Sequence, residues 1–151
     1  MKMKIFLFLA LFFFIANCGF TPLYSTKEMG AINVEVLSYE GDRDINLNLI
    51  SKLKANDDPA GELYKVKILS KYQKRTLTNN LAGEPEEFQL QSSVEFIIIL
   101  NDSQKKINIK EKFVMKNLND DFEERNYEKN IKSSMTNLIY NKFLLQVKRL
   151  K

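Results

Sequence analysis

From residue 63 to residue 115 the apolar side chains fall at every second position in three successive segments, and this alternation restricts the middle of the chain to half-buried β-strands. In residues 63–78, Tyr64, Val66, Ile68 and Tyr72 alternate with Lys65, Lys67 and Lys71, which predicts a long strand with one apolar and one basic face. In residues 88–100, Phe88, Leu90, Val94, Phe96, Ile98 and Leu100 share one side, and the run from Phe96 to Leu100 is apolar on both, as in a central strand. The turn residues Asn101, Asp102 and Ser103 follow, and Ile107, Ile109, Phe113 and Met115 carry the alternation into a third strand. Three strands joined this way predict an antiparallel meander.

The flanking segments differ in period. Ile32, Val34 and Val36 alternate with Asn33 and Glu35, giving a further strand over 32–39. Asp42 and Asp44 are capping residues ahead of 45–54, where Ile45, Leu49 and Leu53 share a helical face; Ile45, Leu47 and Leu49 also alternate, so period alone leaves a strand open, and Ile50, Leu53 and the closing lysines favour a helix. From about residue 120 the stripe Tyr127, Ile131, Met135, Leu138, Ile139, Phe143, Val147 and Leu150 predicts a long closing helix. Its acids Asp120, Asp121, Glu123 and Glu124 precede its bases Lys142, Lys148, Arg149 and Lys151, as the helix dipole favours. The stripe reads as core, with a helix lying on a membrane as the lesser alternative. Gly30, Gly41, Pro59, Gly61, Gly83 and Pro85 all fall between these segments. The order β-α-β-β-β-α predicts an α+β two-layer sandwich, a four-stranded sheet with two helices on one face, over residues 32–151. The other face would carry Lys65, Lys67, Lys71, Gln89, Gln91 and Ser93.

The start of the chain has another character. Lys2 and Lys4 precede an unbroken apolar run over 5–16 that ends at Cys18, shorter than the roughly 20 residues a membrane-crossing helix requires. Residues 1–17 therefore read as a signal peptide of lipoprotein type. Ile15-Ala16-Asn17-Cys18 resembles a bacterial lipobox, although Asn17 stands where Gly, Ala or Ser is usual. Cys18 would become the acylated first residue of the mature chain, with 18–31 as a tether. A plain secreted protein or an uncleaved anchor are the alternatives. Each buried methylene contributes about 0.8 kcal/mol, so several chains on Cys18 would hold the protein firmly at a membrane surface.

Composition closes several routes. The 151 residues contain no histidine and one cysteine, which excludes histidine-based acid/base chemistry, zinc sites of the cysteine/histidine type and internal disulfides. There is no nucleophile elbow and no Gly-rich phosphate loop, so neither an enzyme nor a cofactor is expected. The net charge of +4 includes Lys2 and Lys4; the remainder is too small for a nucleic-acid stripe, and an exported protein meets anionic lipid instead.

The stretch Cys18-Gly19-Phe20-Thr21-Pro22-Leu23-Tyr24 resembles the opening of the mature LptE family, lipopolysaccharide-assembly lipoproteins of Gram-negative outer membranes, which begins Cys-Gly-Phe, a variable residue, then Pro-Leu-Tyr. The family fold is likewise two helices on a four-stranded sheet. The resemblance implies an outer-membrane lipoprotein on the periplasmic side, held by Cys18. It further implies a domain that plugs the LptD-type β-barrel, assists its assembly and binds lipopolysaccharide, without covalent chemistry. Gly19 stands where the inner-membrane retention signal would be. A generic envelope lipoprotein serving another partner is the competing expectation.

Lipopolysaccharide presents phosphates and acyl chains, so its site should combine Lys or Arg with apolar surface. The end of the long strand, Lys71, Tyr72, Lys74 and Arg75 beside the loop over 79–85, is the first candidate, and Lys105, Lys106, Lys110 and Lys112 are the second. A solvated basic face, or an interface with the barrel wall, is the plainer expectation for the same residues.

Overall fold

The computed structural model describes residues 32–100, 103–118 and 120–150. The signal peptide, Cys18 and the tether lie outside these residues. The described chain forms β1 (Asn33–Gly41), α1 (Arg43–Ala55), β2 (Leu63–Asn79), β3 (Pro85–Leu100), β4 (Ser103–Lys116) and α2 (Asp121–Lys148). This is the expected α+β order, and the strands lie in one sheet in the order β1-β2-β3-β4. β2, β3 and β4 form the expected antiparallel meander, and β1 pairs parallel with β2 through the α1 crossover. The sheet is therefore mixed.

Residues 45–54 satisfy both periods, and the helix wins because its start is capped and its row finds a core. The Asp42 side chain accepts from the Ile45 backbone N–H at 3.0 Å, a cap worth about 1 kcal/mol. Ile45, Leu49 and Leu53 then lie one turn apart and are buried, each contributing roughly 1.5–3 kcal/mol. Leu47, which the strand period would have placed inside, is exposed. The turn from β1 into α1 requires Gly41: its φ is +98°, and an added Cβ would run into the Ser70 carbonyl oxygen. Ser70 Oγ donates to the carbonyls of Glu40 and Asp42, and buried Asn46 donates from Nδ2 to Glu40 O at 3.1 Å.

Both helices cover the same face. Tyr64, Val66 and Ile68 of β2, Leu90, Val94, Phe96 and Ile98 of β3, and Ile107, Ile109 and Met115 of β4 all point inward and are buried. At the centre Phe96 stacks on Phe143 of α2 with ring centroids 4.1 Å apart. The buried row of α2 runs Ile131, Met135, Ile139, Phe143 and Val147, with Thr136, Tyr140 and Leu144 beside it. Three members of the expected stripe leave it, Leu150 because α2 ends at Lys148. Leu138 lies about 100° round the helix from Ile139 and is exposed. Tyr127 is also exposed, because the first turns of α2 meet the sheet through Glu124 and Glu128. Phe113 keeps the inward parity but lies on the edge strand, where it is 42% exposed.

The register defines two ends. β1, β2 and β4 all start, and β3 finishes, at the end where the chain enters from residue 32; the β2–β3 hairpin lies at the other. α2 starts at the hairpin end and finishes at the entry end, beside Lys105 and Ile107. No described helix is long and apolar enough to cross a membrane.

Candidate anion-binding face

Among the described residues neither helix covers the outward face of the sheet, and register decides which side chains it presents. Lys71 of β2 is opposite Ser93 of β3, which is opposite Lys110 of β4. The next outward row is Gln73, Gln91 and Lys112, and the one after is Arg75, Gln89 and Val114. These nine positions hold four cations, three amides, a serine and a valine, and no carboxylate. Adjacent strands lie about 4.8 Å apart, so the Lys71 and Lys110 backbones, two strands apart, stand about 10 Å from each other.

The charges in this block are available. Lys71, Lys110 and Lys112 are exposed and have no carboxylate partner among the described residues. Arg75 donates from Nη2 to Gln89 Oε1 at 3.1 Å, a neutral partner that orients the guanidinium without cancelling its charge. Lysines set about this far apart, with amide and hydroxyl groups between them, can hold a phosphorylated, hydroxyl-rich ligand through charge-assisted hydrogen bonds. Toward the entry end the face changes character. Ile97 and Ile99 are half-buried there beside Lys67, Lys106 and Lys65, and Lys106 lies 3.4 Å from Glu95.

The structure therefore divides the first sequence candidate and joins part of it to the second. Lys71 and Arg75 share the open face with Lys110 and Lys112. Lys74 has the opposite parity and points to the helices, where its ammonium lies 2.7 Å from Glu124 and 2.8 Å from Glu128 and stands over the Phe88 ring. Burial works against the Lys74 ammonium, but the hydrogen bonds and charges of Glu124 and Glu128 outweigh it and raise its pKa. The same contact holds the Glu124 carboxyl below the usual carboxylate range, against burial and with help from the Leu118 backbone N–H. Tyr72 is also on this inner side, donating to Glu128 at 2.7 Å, and burial followed by Glu128 pushes its phenol pKa up. Lys105 shares the inner parity of Ile98, at the entry end.

One of these placements is legible in the sequence and one is not. Counting by twos from Ile68 puts Lys74 inside, whereas merging Lys71 with Lys110 requires the register of β3 between them. The partners Glu124 and Glu128 are some fifty residues away in sequence and gave no local signal. A separate groove of about 890 Å³ runs along β1 beside α1, lined by Val34, Val36, Tyr39, Ile50 and Leu53 with Lys54 and Asp57 at its rim, and it lacks this concentration of cations.

A four-stranded mixed sheet with two helices on one face is a fold found among bacterial lipoproteins. The crystal structure of the rare lipoprotein B from Shewanella oneidensis matches with a TM-score of 0.57 at 14% sequence identity, covering 76% of this chain and 94% of that one. The solution structure of an uncharacterized lipoprotein B from Nitrosomonas europaea matches with a TM-score of 0.56 at 14% identity, covering 78% and 83%. A putative lipoprotein from Caulobacter crescentus matches with a TM-score of 0.51 at 16% identity, covering 75% and 86%. At these identities the likeness is one of fold. No protein-family model and no curated protein matches the sequence.

Proposed function

We propose that this chain is an outer-membrane lipoprotein of the LptE kind, acylated on Cys18, that fits within an LptD-like β-barrel, assists its assembly and binds lipopolysaccharide during insertion. Three lines support the reading. The lipobox-like cysteine opens a Cys-Gly-Phe-Thr-Pro-Leu-Tyr stretch. Two neighbours in fold bear the name lipoprotein B, under which the LptE family is also known. The observation that carries the ligand is the carboxylate-free block of Lys71, Arg75, Lys110 and Lys112 on a sheet face that no described helix covers. Phosphates on the glycolipid would meet these cations, and its sugar hydroxyls would meet Gln73, Gln89, Gln91 and Ser93. The role is one of binding and assembly, with no catalytic step.

A generic envelope lipoprotein with another protein partner is the second reading. Half-buried Ile97 and Ile99 and exposed Leu69 favour it, since an apolar strip beside lysines also suits a protein wall. Affinity purification of the acylated chain from native membranes, with mass spectrometry of the eluate, separates the two. The LptE reading expects a large outer-membrane barrel in near-equal amount. Recovery of no barrel, or of another protein in stoichiometric amount, contradicts it.

A further inference from the structure

A second cationic concavity lies outside the open-face block, between the start of β4 and the end of α2. It has a volume of about 400 Å³ and is lined by Lys105, Lys106, Ile107, Gln146, Arg149 and Leu150. Three of its six lining residues are cations and none is an acid. Lys105 and Arg149 are exposed and make no ion pair among the described residues; Lys106 has the outward parity and lies 3.4 Å from Glu95, so it lines the groove as a paired cation. Ile107 and half-buried Leu150 give the concavity an apolar side. The end of a helix presents carbonyl oxygens equivalent to about half a negative charge, which the two unpaired charges of Lys105 and Arg149 outweigh.

We propose that this groove binds the phosphate of an anionic phospholipid headgroup and seats the domain on the membrane that holds Cys18. The location argues for a lipid. β1 starts at this end of the sheet, with Asn33 level with Leu63, and Lys65, Ile99 and Gln104 aligned across β2, β3 and β4. The stretch 18–31, at most about 50 Å long when fully extended, leaves from here. The described chain begins at this end, so acyl chains on Cys18 would keep it within that reach of the bilayer. Exposed Leu63 and half-buried Ile99 and Leu150 at the same end supply apolar contact, and lysine stems can lie along an interface with their ammonium groups among the headgroups. The open-face block, with its amides, lies toward the hairpin end and is suited to a sugar-bearing ligand. The groove, with three cations and one amide, is suited to a bare phosphate diester.

This inference rests on acylation of Cys18 and not on a barrel partner or on lipopolysaccharide. The test uses the mature chain carrying Cys18→Ser, which removes the acyl chains, in flotation with vesicles of phosphatidylcholine with or without phosphatidylglycerol. The unacylated chain is expected to bind only the phosphatidylglycerol vesicles and to release them as salt rises. Adding Lys105→Glu and Arg149→Glu should weaken this binding at least about tenfold, since each basic residue near an anionic surface is worth about 1 kcal/mol, a factor of about five. Arg125→Glu with Lys129→Glu, the same change of charge on exposed residues near the start of α2 at the hairpin end, should leave it within about threefold. The substituted lysine and arginine positions are exposed, and an unchanged circular-dichroism melt verifies folding. Loss of vesicle binding in the Arg125/Lys129 variant but not in the Lys105/Arg149 variant overturns the proposal. So does equal binding to both kinds of vesicle, or displacement of the vesicles by low concentrations of inorganic phosphate, which would mark a free-anion site. Failure of the barrel purification would leave these outcomes unaffected.

Discussion

The covered and open faces of one sheet handle charge in opposite ways. On the covered face three cations over the core are matched, and Lys105, with the same parity, is exposed at the entry end. Lys74 has Glu124 and Glu128, Lys132 of α2 has Asp42 and Asp44 at the start of α1, and Lys142 has Glu111 of β4. On the open face Lys71, Lys110 and Lys112 have no such partner among the described residues, and the nearest side chains across the strands are neutral. A half-buried charge is costly unless it is paired, whereas an exposed one costs little when solvated. The paired lysines therefore belong to the architecture, and the solvated ones are available for a ligand. Lysines three residues apart in sequence, Lys71 and Lys74, fall on opposite sides of this divide.

The largest expected effect tests the covered face alone. Phe96 is fully buried against Phe143, so Phe96→Ala should destabilise the domain by about 3–5 kcal/mol in urea titration. An outward residue of the same strand gives the contrast: Gln91→Ala should change stability by no more than about 0.5 kcal/mol. A similar loss at both positions would mean that the open face is itself covered in solution.

An intermediate effect compares the two lysines. Lys74→Ala leaves Glu124 and Glu128 without their common partner and should cost about 1–3 kcal/mol, whereas Lys71→Ala should be close to neutral. The Lys74 contribution should also depend on pH. Glu124 has a lowered folded-state pKa, so its stabilisation is complete above the unfolded carboxylate pKa of about 4.3 and is lost as pH falls through the lower folded value. Lys74 has a raised one, so its part is present below the unfolded lysine pKa of about 10.4 and is lost as pH rises through the folded value. The gap in urea midpoint between wild type and Glu124→Gln should thus be widest near neutrality and close as the pH falls below about 4. A gap that stayed constant into acid would remove Glu124 from the ion pair.

Much of the fold was legible because parity in a strand is a local signal. Alternation from Tyr64 to Ile68 and from Leu90 to Ile98 marked the core face directly, and the capping residue Asp42 with Ile45, Leu49 and Leu53 marked α1. The length of α2 was legible too, but not the membership of its stripe. Leu138 is apolar like its neighbours, and only the packing of α2 on the sheet decides that Ile139 goes in and Leu138 out. Of the candidate site, the basic outward face could be read from Lys65, Lys67 and Lys71, since these positions alternate with core residues. Its joining to Lys110 and Lys112 could not, because that depends on which residue of β3 stands between Lys71 and Lys110. Nor could the capture of Lys74, whose acids arrive from the far end of the chain.

The central claim is that ligand-binding charge sits on the open face. It is tested most directly by measuring lipopolysaccharide binding to the mature chain, to Lys71→Glu with Lys110→Glu, and to Lys74→Ala under conditions where each is folded. The account predicts at least about a tenfold loss for the double reversal and a change within about twofold for Lys74→Ala, since charge-assisted contacts to phosphate would be replaced by repulsion only in the first. Unchanged binding by the double reversal, or a larger loss from Lys74→Ala, would contradict it.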